Sequence, residues 1–96
     1  MPPLSIVVIN LAEADQLDLI LTELKKMMPH NLAEDGLISY QLLRDPTEPR
    51  RFIHVEKWAS RTAFDTHVAS PHVTAWLQAT EGKFTKSEVY VVEDFL

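Results

Sequence analysis

The stretch from Glu56 to Trp76 holds two carboxylates, two imidazoles and two indoles. An imidazole titrates near neutrality, so His67 suits a general base, with Glu56 orienting it or holding its proton. His72 falls in the first turn of a helical segment, where the backbone dipole disfavours an imidazolium. It therefore suits a neutral donor or base that binds a substrate oxygen. Trp58, Trp76 and Phe64 offer aromatic walls, Tyr40 a hydroxyl at the rim, and Asn10 an amide within an apolar run that can anchor a carbonyl. Together these residue types describe a small-molecule cleft that is apolar with a few convergent polar groups.

Each of these residues also has a purely structural role open to it. Glu56 and His67 are equally a buried pair that fixes a helix on a sheet, and His72 a solvated first-turn residue. Trp58 and Phe64 read as core, Tyr40 as a strand residue at a subunit interface, and Asn10 as the partner of a bulge or turn.

Other chemistries are excluded by what is missing. Cysteine is absent, so disulfides, thiolate metal sites, iron–sulfur ligation and Cys nucleophiles are ruled out. Gly36 and Gly82 are the two glycines, which leaves no glycine-rich phosphate loop. No Gly-x-Ser-x-Gly elbow occurs. His67 and His72 lie on either side of a Ser70-Pro71 break, a spacing that does not put both imidazoles on one helical face, so no metal site is expected. Nine Lys and Arg against fourteen Asp and Glu give a formal net charge of −5, and no basic cluster exceeds Lys25-Lys26 or Arg50-Arg51. Nucleic acid is therefore not an expected partner. No apolar run approaches a membrane span and Met1-Pro2-Pro3 provides no basic leader, which points to a cytoplasmic protein.

The elements that must position these groups follow from periodicity. At 96 residues, with 46% hydrophobic and 24% charged side chains, the chain has the length and composition of one globular domain, residues 1–96. Leu4 to Leu11 is β-branched and apolar and reads as a buried strand. Leu17, Ile20, Leu21, Leu24 and Met28 then recur at helical spacing, with Asp15 as cap, Pro29 as end or kink, and a further turn over Asn31 to Asp35. Leu37 to Arg44 and Arg51 to Trp58 form a hairpin around Asp45 to Pro49. Ser60 caps a short helix to about Ala69, and Ser70-Pro71 restarts helix to about Thr80. The last strand is expected within Ser87 to Phe95. The order β-α-β-β-α-β is the ferredoxin-like α+β arrangement, a four-stranded antiparallel sheet with helices on one face.

Both faces of that sheet read as apolar. In strand one Ile6 and Val8 oppose Val7, Ile9 and Leu11; in the third Phe52, His54, Glu56 and Trp58 share one face, opposite Ile53 and Val55; in the last Val89 and Val91 oppose Tyr90 and Val92. Helices cover one face, so the other needs a partner, and a second copy of the chain is the simplest one. A homodimer with sheets packed face to face is expected.

Three segments resemble the antibiotic biosynthesis monooxygenase family: Glu34-Asp-Gly36-Leu-Ile-Ser-Tyr40, Phe52-Ile-His-Val-Glu56-Lys-Trp58, and Ala63-Phe-Asp-Thr-His67-Val-Ala-Ser70-Pro-His72. The resemblance implies a dimeric α/β-barrel with a ligand pocket between helices and sheet. Characterised members oxidise phenolic or quinol substrates with O₂ and use no metal, flavin or haem prosthetic group, so no cofactor is expected. Relatives degrade haem as substrate, isomerise small phosphorylated molecules, or have no known activity. The function expected is a cofactor-independent monooxygenase acting on a small aromatic, quinol-like substrate. The alternatives are an isomerase or other non-oxidative enzyme on the same pocket, and a non-enzymatic ligand-binding dimer.

Overall fold

The structure is a computed structural model and describes residues 2–96. Its elements are β1 (Leu4–Ala12), α1 (Leu17–Leu32), β2 (Leu37–Arg44), β3 (Arg51–Trp58), α2 (Arg61–Val68), α3 (Pro71–Ala79) and β4 (Phe84–Val92). The strands form one antiparallel sheet in the order β2-β3-β1-β4. This is the ferredoxin-like α+β arrangement, with the second helical region split in two at Ser70-Pro71 as the cap residues foretold. Ser60 and Ser70 accept the backbone N–H of Ala63 and Val73 respectively, and Pro71 occupies the first turn of α3.

Three boundaries differ from the sequence reading. Asp15 does not cap α1; the chain turns through Gln16, whose side chain makes no capping bond, and the Ile20 N–H closes on the Gln16 carbonyl. Pro29 neither ends nor stops the helix, which continues to Leu32. A proline removes one backbone donor, and here buried Met27 and Asn31 on either side pin the last turn to the core. Residues 33–36 are then a turn, not a further helical turn. Finally, β4 starts at Phe84 rather than near Ser87 and ends at Val92. Phe84 pairs with Ala12 across a register shift, and its ring packs beside Phe52 and Trp76. That packing extends the strand toward its N-terminal end.

Alternate residues of β3, namely Phe52, His54, Glu56 and Trp58, are buried, as are Ile6, Asn10 and Ala12 of β1. With Ile20, Leu24 and Met27 of α1 and Val73 and Trp76 of α3 they form the interior. The opposite face carries Val7, Ile9, Leu11, Ile53 and Val55, all half-buried, beside the exposed Leu43, Tyr90 and Val92. No helix among the described residues covers this second apolar face. Among the described residues no helix is long and apolar enough to cross a membrane.

Candidate functional site

A cleft of about 370 Å³ opens between the buried sheet face and the helices. Val8, Asn10, Tyr40, His54, Glu56 and Val89 line it from the sheet. Met27 of α1, Phe64, His67 and Val68 of α2, and Val73, Trp76 and Leu77 of α3 line it from the helices. The two-residue period of β3 delivers His54 and Glu56 to one side, and the inward stripe of α2 delivers Phe64 and His67 to the other.

The carboxylate that holds His67 is Glu34. Its Oε2 lies 2.5 Å from His67 Nδ1 and 3.0 Å from His72 Nε2, so one oxygen accepts from two imidazoles. Glu34 stands in the turn between α1 and β2, and Gly36 makes its position possible. A Cβ on Gly36 would overlap the Ala63 Cβ of α2, so glycine lets this turn approach the helix that carries His67. Ser70 ties the arrangement together. Its hydroxyl donates to the His67 carbonyl at 2.6 Å, accepts the Val73 N–H that starts α3, and sits 3.2 Å from His72 Nε2.

Glu56 is a neighbour of His67 rather than its holder. Its Oε1 accepts the Trp58 indole N–H at 3.0 Å and lies 3.8 Å from His67 Nε2. Burial raises the Glu56 pKa above the usual carboxylate range, against the Trp58 bond and the nearby imidazole, which lower it. Because a carboxylate faces Nδ1, the His67 proton sits there, and Nε2 presents a lone pair on the Glu56 side.

A second polar chain crosses the sheet. Ser87 donates to Asn10 Oδ1 at 2.7 Å, Asn10 Nδ2 faces His54 Nε2 at 3.5 Å, and His54 Nδ1 lies 2.6 Å from the Tyr40 hydroxyl. Read in that direction, the amide N–H points at Nε2, so His54 carries its proton on Nδ1 and donates to the Tyr40 oxygen. The Tyr40 O–H then donates to Glu56. Burial, reinforced by the nearby His67, lowers the His54 pKa to about 4, so this imidazole is neutral at pH 7. Burial also pushes the Tyr40 phenol up, and Glu56 adds to the shift.

Most of the expected site residues meet at the cleft: His67, Glu56, Tyr40, Phe64, Trp76 and Asn10. Two do not line it. Trp58 is fully buried, its ring centroid 4.4 Å from the His67 imidazole, so it packs on that ring and does not wall the cleft. His72 turns away from the cleft, spends Nε2 on Glu34 and stacks on His30 at 5.4 Å. Tyr40 lies on the helix side of the sheet with Glu56, not on the uncovered apolar face.

The expectation that the five-residue spacing keeps His67 and His72 apart is corrected. The Ser70-Pro71 break turns the chain, so ligand atoms of His67, His72 and Glu34 all lie within 4.8 Å of one another. Glu34 and His54 had no assigned role in the sequence reading. The strand period placed His54 on the inner face and the Glu-x-Gly motif contained Glu34, but neither signal names a partner.

The architecture recurs in solved structures. One described as an antibiotic biosynthesis monooxygenase superposes with a TM-score of 0.90 at 20% identity, covering 97% of this chain and 99% of the other. Rv0793 from Mycobacterium tuberculosis gives 0.89 at 24% identity over 97% and 95%. Protein SO0527 from Shewanella oneidensis gives 0.87 at 25% identity over 95% and 89%. No curated protein matches the chain. The sequence model of one family, described as antibiotic biosynthesis monooxygenase, matches residues 4–79, four-fifths of the chain and all of the side chains of the Glu34–His67–His72 cluster, and this protein therefore belongs to that family.

Proposed function

We propose that this protein is a cofactor-independent monooxygenase that oxidises a small phenolic, quinol-like molecule with O₂, working as a homodimer. The observation that carries the reading is His67: a cleft-lining imidazole with Nδ1 committed to Glu34 and Nε2 left as an acceptor. Triplet O₂ reacts slowly with closed-shell molecules, whereas a hydroquinone that has lost a proton donates an electron readily. The protein's part is to remove that proton, hold the ring and exclude water. His67 Nε2 takes the phenolic proton. Phe64 and Trp76 flank the ring, and the Tyr40 hydroxyl, held between His54 and Glu56, contacts a second substrate oxygen at the rim. In the overall change one oxygen atom enters the ring and the other leaves as water. The four electrons come from the substrate, which ends as a hydroxyquinone, so no external reductant enters.

The test is oxygen uptake with a panel of hydroquinones, with ¹⁸O₂ label traced into the product. One labelled atom per product is expected. Absence of uptake across the panel, with a ligand retained through purification, argues for the binding dimer instead.

One observation favours a second, non-oxidative reading. Glu56, its carboxyl held toward the protonated form, lies 3.8 Å from the free nitrogen of His67. An acid beside a base on one wall suits isomerisation by proton transfer. Solvent deuterium entering a carbonyl substrate without O₂ distinguishes it.

A further inference from the structure

We propose that Glu34, His67 and His72 form a binding site for one divalent first-row transition ion of the zinc class, seated among Glu34 Oε2, His67 Nδ1 and His72 Nε2. Three elements deliver the donors: the turn before β2, the last turn of α2 and the first turn of α3. Two imidazole nitrogens point at a single carboxylate oxygen, at 2.5 and 3.0 Å, and all three donor atoms lie within 4.8 Å. Tetrahedral zinc with bonds of about 2.0–2.1 Å separates its ligand atoms by roughly 3.4 Å. That spacing lies between the two hydrogen-bond distances and the upper bound, so side-chain rotation suffices and the backbone stays in place.

Two neutral nitrogens and one carboxylate oxygen suit ions of borderline softness rather than Mg²⁺ or Ca²⁺, which prefer all-oxygen sets. The donors are also well supported. The side chains of His67, Glu34 and His72 are 8%, 15% and 17% exposed. Trp58 packs on the His67 ring and His30 stacks on His72. The Ser70 hydroxyl holds the ends of both helices together. Orienting partners of this kind hold imidazoles in ligating geometry. A hollow of about 180 Å³ lies beside His72 and His30.

Binding shifts tautomers. An ion on Nδ1 moves the His67 proton to Nε2, the atom that the proposed oxidation needs bare, so the loaded protein loses its base. The site is thus inhibitory, and the ion takes no part in the oxidation. This consequence rests on the proposed function; the binding itself does not.

The experiment is a titration of chelator-treated protein with Co²⁺, read by visible absorption, and with Zn²⁺, read by calorimetry and thermal melting. One ion per chain with a dissociation constant below about 100 µM is expected, together with a melting temperature that rises with Zn²⁺. His72→Gln and Glu34→Gln, both at partly exposed positions, should each weaken binding by about 10–100-fold. Binding weaker than about 100 µM by the parent protein, or binding that either variant keeps at parental strength, overturns the proposal. Because the readout is binding, a protein that takes up no oxygen leaves the site standing, and a protein that binds no ion leaves the oxidation standing.

Discussion

Glu34 Oε2 lies 2.5 Å from His67 Nδ1, joining residues 33 positions apart and committing the imidazole to one tautomer. A carboxylate on Nδ1 fixes the orientation of the ring, so Nε2 faces the cleft. Glu34→Gln should lower turnover on the order of 10²-fold through misorientation. The readout that separates positioning from a merely structural role is the tautomer itself. In ¹⁵N spectra the His67 proton should redistribute between Nδ1 and Nε2 in the variant, and an unchanged tautomer with unchanged turnover removes Glu34 from the mechanism.

His67 separates catalysis from folding. His67→Ala should remove on the order of 10²–10⁴ from turnover, and it should also cost roughly 1–3 kcal/mol by removing one of the two imidazoles bonded to Glu34. His67→Gln keeps a hydrogen bond to Glu34 but cannot take the proton, so it should melt near the parent and still lose the turnover. Oxygen uptake beside thermal melting reads both. A glutamine variant with parental turnover ends the base assignment.

Gly36 sets the approach of the Glu34 turn to α2. A methyl there would overlap Ala63, whose own Cβ has no rotamer to escape into. Gly36→Ala should cost about 1–3 kcal/mol, the usual range for overpacking. Gly36→Ala combined with Ala63→Gly, which vacates the clash, should restore most of that loss. Thermal melting of the single and double variants reads the difference, and two equal losses would mean that the contact is not what matters.

His54 predicts a pH dependence of stability. Its pKa falls from 6.5 in the unfolded chain to about 4 in the fold, because burial disfavours the charged ring. Between these values the unfolded chain binds a proton that the folded chain does not, so stability declines as pH drops below about 6.5 and levels off below about 4. Above 6.5 both states are neutral at this residue and its contribution is flat. The loss across the window is on the order of 3 kcal/mol. Denaturation of the parent and His54→Gln across this range checks it: the variant should lose that part of the slope.

The uncovered sheet face predicts the assembly. Val7, Ile9, Ile53 and Val55 are joined there by Leu43, Tyr90 and Val92, which are 46%, 46% and 41% exposed. Sedimentation should give about twice the chain mass. Val55→Asp, placing a charge at the centre of that face, should shift the equilibrium to monomer at micromolar concentration. A parent protein that sediments as a monomer at the same concentration refutes the shared-sheet dimer.

The sequence by itself determined the element order, the hairpin, the Ser60 and Ser70-Pro71 caps, and the inward alternation of Phe52, His54, Glu56 and Trp58. These features are local: a strand period, a capping hydroxyl and a proline at a first turn act within a few residues. The start of β4 and the passage of α1 through Pro29 were decided by packing, since Phe84 packs on Phe52 and Trp76 and Asn31 is fully buried. The partners in the site were decided the same way. Period and stripe brought His67 and Glu56 to one cleft, but they carry no information about a turn 33 residues upstream, so Glu34 as the holder of His67 emerged only from the fold. Nor did spacing along the chain measure the distance between His67 and His72. The bend at Ser70-Pro71 sets that distance, and a bend between two helices is a tertiary quantity.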